Sequence, residues 1–211
     1  MIKFNDPNDW LEKRIEGVKK AYIIPNKIKK DIAVDVGANI GAFSIVNTNK
    51  FKKIISFEPS DYSYDECKKN IKELENCDVY KYAVSNKSNQ QLKLKAYKSS
   101  NYSGNASTIE SNLWDNNNFE IVNTISLDDI FEKFNINRIN YLKIDCEGGE
   151  YDFLMNKDLK NIDSIGIEIH LQLKEKATEL YKYLLNDFNI ISELNDGITM
   201  HKELTLINKN L

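Results

Sequence analysis

The 211-residue sequence has little of what marks secreted, disulfide-bonded or membrane-spanning proteins. Its three cysteines, Cys67, Cys77 and Cys146, are an odd number without CxxC spacing, which argues against a disulfide framework and against a zinc site. No apolar run approaches the roughly 18 residues of a membrane span. The first 20 residues lack the apolar core of a signal peptide. We therefore expect a soluble, cytoplasmic protein without a membrane span.

An excess of positive charge is also missing. Lys and Arg total 29 and Asp and Glu total 32, which gives a formal net charge of −3. Proteins that bind phosphate backbones usually have the opposite balance, so we expect no nucleic-acid partner. Hydrophobic residues make up 41% of the chain, enough for one buried core, and no linker rich in Pro, Gly or Ser divides it. The sequence predicts a single domain over residues 1–211 and leaves the oligomeric state undetermined.

Short β-branched runs alternate with longer amphipathic segments along most of the chain. This alternation predicts an α/β fold with a doubly wound, mostly parallel sheet between helices, closed by an antiparallel hairpin whose turn is at residues 195–197. The predicted strands are residues 32–36, 53–57, 79–84, 141–146 and 164–170, and the predicted helices include residues 7–20, 61–75 and 174–186.

Two segments lie outside this alternation. Residues 1–30, with their predicted helix, precede the first strand and are expected to form an N-terminal cover. Residues 86–123 are polar, rich in Ser and Asn and only weakly periodic. A stretch of this length is usually a lid, a binding loop or a set of small extra strands. We expect it above the carboxyl edge of the sheet, over the active site.

A glycine turn follows the first predicted strand. Gly37 and Gly41 allow the backbone to turn sharply and to approach a ligand, with helix N–H groups facing it. Glu58 lies 21 residues after Gly37, at the end of the next strand, where a carboxylate can accept hydrogen bonds from both hydroxyls of a ribose. Together these residues predict a nucleoside-binding crevice at the switch point of the sheet.

The spacing of this turn favours S-adenosylmethionine over a dinucleotide. The turn reads GxxxG and lacks the second glycine of the GxGxxG dinucleotide fingerprint. Asp35 would repel a pyrophosphate but suits a ligand with an ammonium or sulfonium charge, and S-adenosylmethionine has both. A nicotinamide-dependent oxidoreductase on the same sheet and a cofactor-binding domain without chemistry are the alternatives.

The segment AVDVGANIG at residues 33–41 resembles the first motif of class I S-adenosylmethionine-dependent methyltransferases. More narrowly, the chain resembles the FkbM-type methyltransferase family over about residues 31–171. The blocks that carry this resemblance follow in order, and the fourth is the most distinctive: FEPS at 57–60, AVS at 83–85, TISLDD at 124–129, KIDCEGGE at 143–150 and IEIH at 167–170.

The resemblance implies a Rossmann-like, seven-stranded sheet and S-adenosylmethionine as cofactor. It also implies O-methylation of a hydroxyl on a sugar, a glycan precursor or another polar small molecule. The first motif would flank the methionine part of the cofactor, Glu58 would hold the ribose, and residues 83–85 would lie near the adenine. The expected cofactor-binding residues are Asp35, Gly37, Ala38, Asn39, Gly41, Glu58, Pro59, Ser60, Ala83, Val84, Ser85 and Asp145.

Polar residues also alternate with apolar ones at the ends of the fourth and fifth strands. Neighbouring strands lie about 4.8 Å apart, so Asp145, Glu147, Glu168 and His170 are expected to converge at one edge. A hydroxyl acceptor needs a base, and His170 is the best candidate because imidazole titrates near neutral pH. Glu147 or Glu168 would orient the imidazole or bind hydroxyls of the acceptor. The same residues could instead hold Mg²⁺, Mn²⁺ or Ca²⁺, an alternative that we do not predict.

Overall fold

The computed structural model describes residues 10–97, 106–107, 114–171, 174–194 and 201–211. Its helices are α1 (Trp10–Ala21), α2 (Ala42–Asn47), α3 (Asp61–Asn70), α4 (Leu127–Lys133), α5 (Glu150–Leu154) and α6 (Lys174–Asp187). Its strands are β1 (Ile32–Val36), β2 (Lys53–Phe57), β3 (Cys77–Tyr80), β4 (Ala83–Val84), β5 (Gln91–Tyr97), β6 (Ala106–Ser107), β7 (Trp114–Ile125), β8 (Tyr141–Ile144), β9 (Ser164–His170), β10 (Phe188–Leu194) and β11 (His201–Asn208). Among the described residues, no helix is both long and apolar enough to cross a membrane.

The main sheet has seven strands in the order β10-β11-β9-β8-β1-β2-β3. The five strands from β9 to β3 pair in parallel, and β11 is antiparallel to both β9 and β10. The predicted α/β class and the antiparallel end of the sheet are therefore confirmed. The turn predicted at residues 195–197 lies outside the described residues.

The central strands are apolar on both faces, which is why they lie in the middle of the sheet. Leu142 and Ile144 of β8 face one hydrophobic core, whereas Tyr141 faces the other, where its ring stacks on Phe43 of α2 with centroids 5.9 Å apart. Successive side chains of a strand point to opposite faces, so Lys143 shares the Tyr141 side of β8. On that side, Lys143 lies near the carboxyl end of β1.

The third predicted strand, residues 79–84, is wrong as a single element. The chain leaves the main sheet after Tyr80, where the Tyr82 N–H donates to the Tyr80 carbonyl at 3.1 Å and closes a three-residue turn. Residues 83–84 then pair as β4 with β7 in a second sheet of order β4-β7-β5-β6. Two other predicted elements are shorter than expected, because α3 ends at Asn70 and β8 ends at Ile144.

The described part of residues 86–123 forms extra strands, which were one of the three possibilities expected for this segment. They reach the carboxyl edge of the main sheet, where the Ser107 hydroxyl donates to the Glu147 carbonyl at 2.7 Å. On the other side of that edge, α1 packs against α2, and Tyr22 meets Phe43 edge to face. The single-domain organisation, the lid role of residues 86–123 and the cover formed by residues 1–30 stay predictions.

The glycine turn after β1 generates a stability prediction. At Gly37 the φ angle is +73°, and an added Cβ would lie 1.7 Å from the Asp145 carbonyl oxygen. We expect Gly37→Ala to lower the free energy of unfolding by at least about 2 kcal/mol, because backbone must move to admit the methyl group. Chemical denaturation followed by circular dichroism measures the change.

Gly17→Ala is the matched control, because nothing lies within 4 Å of a Cβ added there. In the middle of α1 this replacement is expected to raise stability by about 0.5–1 kcal/mol. Equal effects of the two substitutions would contradict the packing described for Gly37.

Candidate active site

A cavity opens at the carboxyl ends of β1, β2, β8 and β9, the edge at which open parallel sheets bind ligands. The turn after β1 forms one wall, and the segment after β8 and the end of β9 form the opposite wall. Residues of α1 and of the second sheet close the remaining sides. The lining residues at the ends of these strands and in the segments that follow them include Gly37, Ala38, Asn39, Glu58, Pro59, Asp145, Glu147 and Glu168.

The turn after β1 is held by backbone contacts to both neighbouring strands. The N–H groups of Gly37 and Ala38 both donate to the Phe57 carbonyl at 3.0 Å, and the Asp145 N–H donates to the Val36 carbonyl at 3.1 Å. Gly41 ends the turn at a φ of 90°, where glycine carries no steric penalty, and α2 begins at the next residue. These bonds bring the ends of β1, β2 and β8 to one place.

Glu58 is fixed at the cavity wall by two backbone donors. Its Oε2 accepts from the Asn39 N–H at 2.8 Å, and its Oε1 accepts from the Ser60 N–H at 3.0 Å. Burial raises the pKa of Glu58 to about 7, although the same two N–H groups partly oppose that rise. A carboxylate has about four acceptor positions, so two remain for the hydroxyls of a ligand.

His170 lies at the centre of a carboxylate cluster. Its Nδ1 is 2.9 Å from Glu150 Oε1, and its Nε2 is 3.3 Å from Glu147 Oε2 and 3.4 Å from Glu168 Oε1. Burial by itself lowers the pKa of the imidazole, but the charges of Glu150 and Glu147 outweigh burial and raise that pKa well above its usual value. The imidazole is thus bound by carboxylates at both nitrogens.

The cavity side of this cluster consists of Glu147 and Glu168. Burial raises the pKa of both carboxyl groups, that of Glu168 to about 9, with Asp145 adding to the effect on Glu168. Within the described part of the chain, His170 does not line the cavity, and its side chain is only 6% exposed. Direct contact of His170 with an acceptor would therefore require one of these two carboxylates to move aside.

Most of the sequence matches one known protein family. Residues 35–196 match the model described as the methyltransferase FkbM domain. The chain belongs to the FkbM methyltransferase family. Membership identifies the protein as a methyltransferase, which confirms the expected enzyme class. No curated protein matches the chain.

Several solved structures are similar in fold. A methyltransferase FkbM from Methylobacillus flagellatus KT has a TM-score of 0.52 at 14% identity, over 85% of this chain and 43% of that one. M. capricolum TrmK, in complex with S-adenosylhomocysteine, has a TM-score of 0.50 at 19% identity, over 93% and 68%. The Methanococcus jannaschii fibrillarin pre-rRNA processing protein has a TM-score of 0.56 at 12% identity, over 94% and 76%. At these identities the similarity concerns the fold alone, and it is the match to the methyltransferase family that points to a cofactor of the S-adenosylmethionine type.

The structure brings most of the expected cofactor-binding residues of this methyltransferase to one cavity. Gly37, Ala38, Asn39, Glu58, Pro59, Ala83, Val84 and Asp145 line it, as do the expected catalytic residues Glu147 and Glu168. The other four, Asp35, Gly41, Ser60 and Ser85, are buried beside the wall. Ser60 contributes its backbone N–H to Glu58, and the Ser85 N–H donates to the Ile125 carbonyl at 3.0 Å. The roles of all these residues stay predictions.

Asp35 differs most from expectation, because it faces Lys143. The two residues are register partners on β1 and β8, and Lys143 Nζ lies 3.1 Å from Asp35 Oδ1. The ammonium also donates to the Gly37 carbonyl at 2.6 Å and to the Val36 carbonyl at 3.2 Å. Burial by itself lowers the pKa of Lys143, but Asp35 and Asp145 outweigh it and raise that pKa. The charge of Asp35 is therefore balanced inside the protein.

Sequence reasoning missed three residues of the cluster. Glu150 was not among the residues expected in the cluster, yet its Oε1 accepts from the Gly148 N–H at 3.0 Å and contacts His170. Glu203 lines the cavity opposite Glu168 in the β9–β11 register, and His201 Nδ1 lies 3.2 Å from Glu168 Oε1. The last glutamate of KIDCEGGE was a usable sequence signal for Glu150. No sequence spacing predicts the strand register that brings Glu203 and His201 to the cluster.

Among the described residues, two groups of side chains are close enough to hold a divalent ion. Asp145, Glu168 and His170 form one group, and Glu168, His201 and Glu203 form the other. Within each group, the donor atoms lie within 4.8 Å of one another. Carboxylate oxygens and imidazole nitrogens are suitable ligands for Mg²⁺ and Mn²⁺. The arrangement can therefore either bind hydroxyl groups directly or hold an ion that does so.

The buried Asp35–Lys143 pair generates a second prediction. Lys143→Met keeps the volume of the side chain but leaves the Asp35 charge buried and unbalanced, and we expect it to lower the free energy of unfolding by about 3–5 kcal/mol. Adding Asp35→Asn removes that charge and is expected to recover a large part of the loss. Urea denaturation at pH 7 gives both values, and a loss below about 1 kcal/mol in Lys143→Met would contradict the pairing.

Proposed function

We propose that the protein transfers the methyl group of S-adenosylmethionine to a hydroxyl of a polar small molecule, with a sugar or glycan precursor as the first candidate. Membership of a methyltransferase family supports the reaction class. The observation that carries the proposal is the position of Glu58. Its carboxylate is oriented by Asn39 and Ser60 at a cavity whose opposite wall holds Glu147 and Glu168.

The proposed position of the cofactor follows from the groups along the cavity. Glu58 accepts the two ribose hydroxyls, and the adenine lies beside Pro59, Ala83 and Val84. The methionine part runs along the turn from Gly37 to Asn39 toward Asp145. The buried neighbours Asp35, Gly41, Ser60 and Ser85 act by supporting this wall.

The proposed chemistry is a displacement at the methyl carbon. The acceptor oxygen bonds to that carbon as the carbon–sulfur bond breaks, its electron pair stays on sulfur, and the hydroxyl proton leaves. Glu147 and Glu168 face the acceptor and hold its hydroxyl near the methyl group, since positioning supplies much of the acceleration. Glu147 and Glu168 each have a carboxylate oxygen within 3.4 Å of His170 Nε2, so the three side chains can exchange a proton. We propose that this cluster takes up the released proton on a member that is deprotonated, with His170 behind the two carboxylates.

The charge of the cavity favours an acceptor with many hydroxyl groups. Asp145, Glu147, Glu168 and Glu203 line one side, and carboxylates accept hydrogen bonds from hydroxyls. The same carboxylates would repel a phosphate that approached them. The fibrillarin structure is named for pre-rRNA processing, which makes RNA the alternative acceptor that an experiment must include.

A binding and transfer experiment tests the proposal. Calorimetric titration is expected to detect binding of S-adenosylhomocysteine and none of NADH. Incubation with isotope-labelled S-adenosylmethionine and a panel of sugars, nucleotide sugars and RNA, read by mass spectrometry, is expected to show methylation of a sugar hydroxyl. Methylated RNA alone would refute the acceptor class, and binding of NADH alone would refute the cofactor. Loss of activity with a chelator, reversed by Mg²⁺ or Mn²⁺, would identify the carboxylate cluster as an ion site.

The raised pKa of Glu58 generates a third prediction. Only the ionised carboxylate accepts from both ribose hydroxyls in addition to its two backbone donors. The affinity for S-adenosylhomocysteine is therefore expected to rise with pH through about 7 and then level off. Glu58→Gln should bind about tenfold more weakly or worse, without that pH dependence. Glu75→Gln, at an exposed position, is the control and should keep the pH curve of the unmodified protein.

A fourth prediction concerns His170. We expect His170→Ala to reduce turnover about 100-fold or more, because the cluster loses the group that shares the proton with Glu147 and Glu168. The dissociation constant for S-adenosylhomocysteine should stay within a few-fold, since His170 does not line the cavity within the described residues. His201→Ala removes the other histidine at Glu168 and should cost less than tenfold. Full activity of His170→Ala would remove His170 from the mechanism.

A further inference from the structure

Arg14 lies on the helix that closes one side of the cavity. The residues Arg14, Gly17, Val18 and Ala21 of α1 all line it, and their spacing of three, four and seven residues puts them on one helical face. The Arg14 guanidinium carbon lies 4.4 Å from the centroid of the Trp10 ring. The Nε of Arg14 is buried and has no hydrogen-bond acceptor in the part of the chain that the structure describes.

A guanidinium that stacks on an aromatic ring and has a buried N–H without an acceptor can bind an anion. Stacking on an aromatic ring uses the face of the group and leaves the N–H bonds in its plane available. Two parallel N–H groups match the two oxygens of a carboxylate. A buried donor without an acceptor is destabilising, and a bound anionic oxygen would relieve that cost. The position therefore calls for a ligand group with paired anionic oxygens.

The other cations at the cavity differ from Arg14. Among the described residues, Lys13, Arg14 and Lys143 line it. Lys143 is buried against Asp35 and two backbone carbonyls, and Lys13 is exposed. Of these three cations, Arg14 has a buried donor without a hydrogen-bond acceptor in the described part of the chain.

The methionine part of the proposed cofactor has both an ammonium and a carboxylate. The carboxylates of Asp145, Glu147 and Glu168 suit the ammonium but repel the carboxylate, which needs a cation elsewhere on the wall. Helix α1 packs on α2, and Tyr22, directly after α1, has its ring 5.6 Å from Lys143 Nζ beside the glycine turn. The C-terminal end of α1 therefore lies beside the turn along which the methionine part is proposed to bind, and Arg14 lines the same cavity from that helix.

We propose that Arg14 binds the carboxylate of the methionine part of S-adenosylmethionine through its guanidinium. This inference rests on the proposed cofactor and adds a binding residue outside the family match at residues 35–196. An anionic group on the acceptor has the same chemistry and is the competing source of the ligand.

Calorimetry with two donors separates the possibilities. Decarboxylated S-adenosylmethionine keeps the adenosine, the sulfonium and the ammonium and lacks only the carboxylate. Arg14→Gln is expected to weaken binding of S-adenosylmethionine about 10- to 100-fold and to change binding of the decarboxylated donor less than twofold. Lys19→Gln removes a positive charge from an exposed position of the same helix and should alter neither affinity. Arg14→Lys keeps the charge without the paired donors and should weaken S-adenosylmethionine by an intermediate factor.

The outcomes distinguish this inference from the proposed function. If Arg14→Gln weakens both donors equally, or neither, Arg14 does not bind the carboxylate. If only the KM of a phosphorylated acceptor rises in Arg14→Gln, the anion belongs to the acceptor and the inference is wrong. If the unmodified protein binds neither donor, the proposed cofactor fails and this inference fails with it. Thermal unfolding of each variant verifies that it is folded, and Arg14→Lys supplies the comparison where Arg14→Gln is not.

Discussion

The close contact between the turn after β1 and the backbone of Asp145 is the constraint on which the site depends. A side chain at Gly37 would overlap the Asp145 carbonyl, so the two segments meet only because glycine is there. The same turn donates two N–H groups to Phe57 at the end of β2, and its Asn39 N–H orients Glu58. Three strand ends are thereby fixed relative to one another by backbone bonds, which vary little with side-chain motion. A carboxylate held in this way needs no reorganisation to meet two hydroxyl groups.

The distribution of charge divides the cavity into parts with different tasks. Five carboxylates line it within the described residues, against three cations, one of which pairs with Asp35 behind the wall. A carboxylate near a sulfonium attracts the donor, but that positive charge falls as the methyl group leaves, so the attraction strengthens binding more than it raises the rate. Carboxylates that receive a hydroxyl proton act on a change that occurs during the reaction. This division agrees with the roles proposed for these residues, in which Glu58 and Asp145 act in binding and Glu147 and Glu168 act in the chemical step.

Most features that depend on residues close together in the sequence were predictable, whereas features that depend on contacts between distant residues were not. The strands β1, β2 and β9 were predictable because β-branched runs stand between clear breaks, and Glu58 because it ends such a run at a fixed distance from Gly37. The end of β3 depends on a turn that Tyr80 and Tyr82 form without glycine or proline, and it was not predictable. Lys143 and Glu203 belong to the site through the register of strands distant in sequence. The strand-end position of His170 was predictable, but its burial behind two carboxylates follows from side-chain packing that no spacing encodes.

Some of the residues that line the cavity lie inside the family match, and others lie outside it. The turn after β1, Glu58 and the segment after β8 lie in the blocks that resemble the family, and they form the part proposed to bind the donor. Helix α1 and Glu203 lie outside the family match at residues 35–196, yet they line the same cavity. Features common to a family cannot account for groups outside its common region. The donor site is therefore proposed chiefly from the matched region, with Arg14 of α1 added to it, whereas selection of the acceptor has to be sought in Glu203 of β11, outside the match, and in β6, whose Ser107 contacts Glu147.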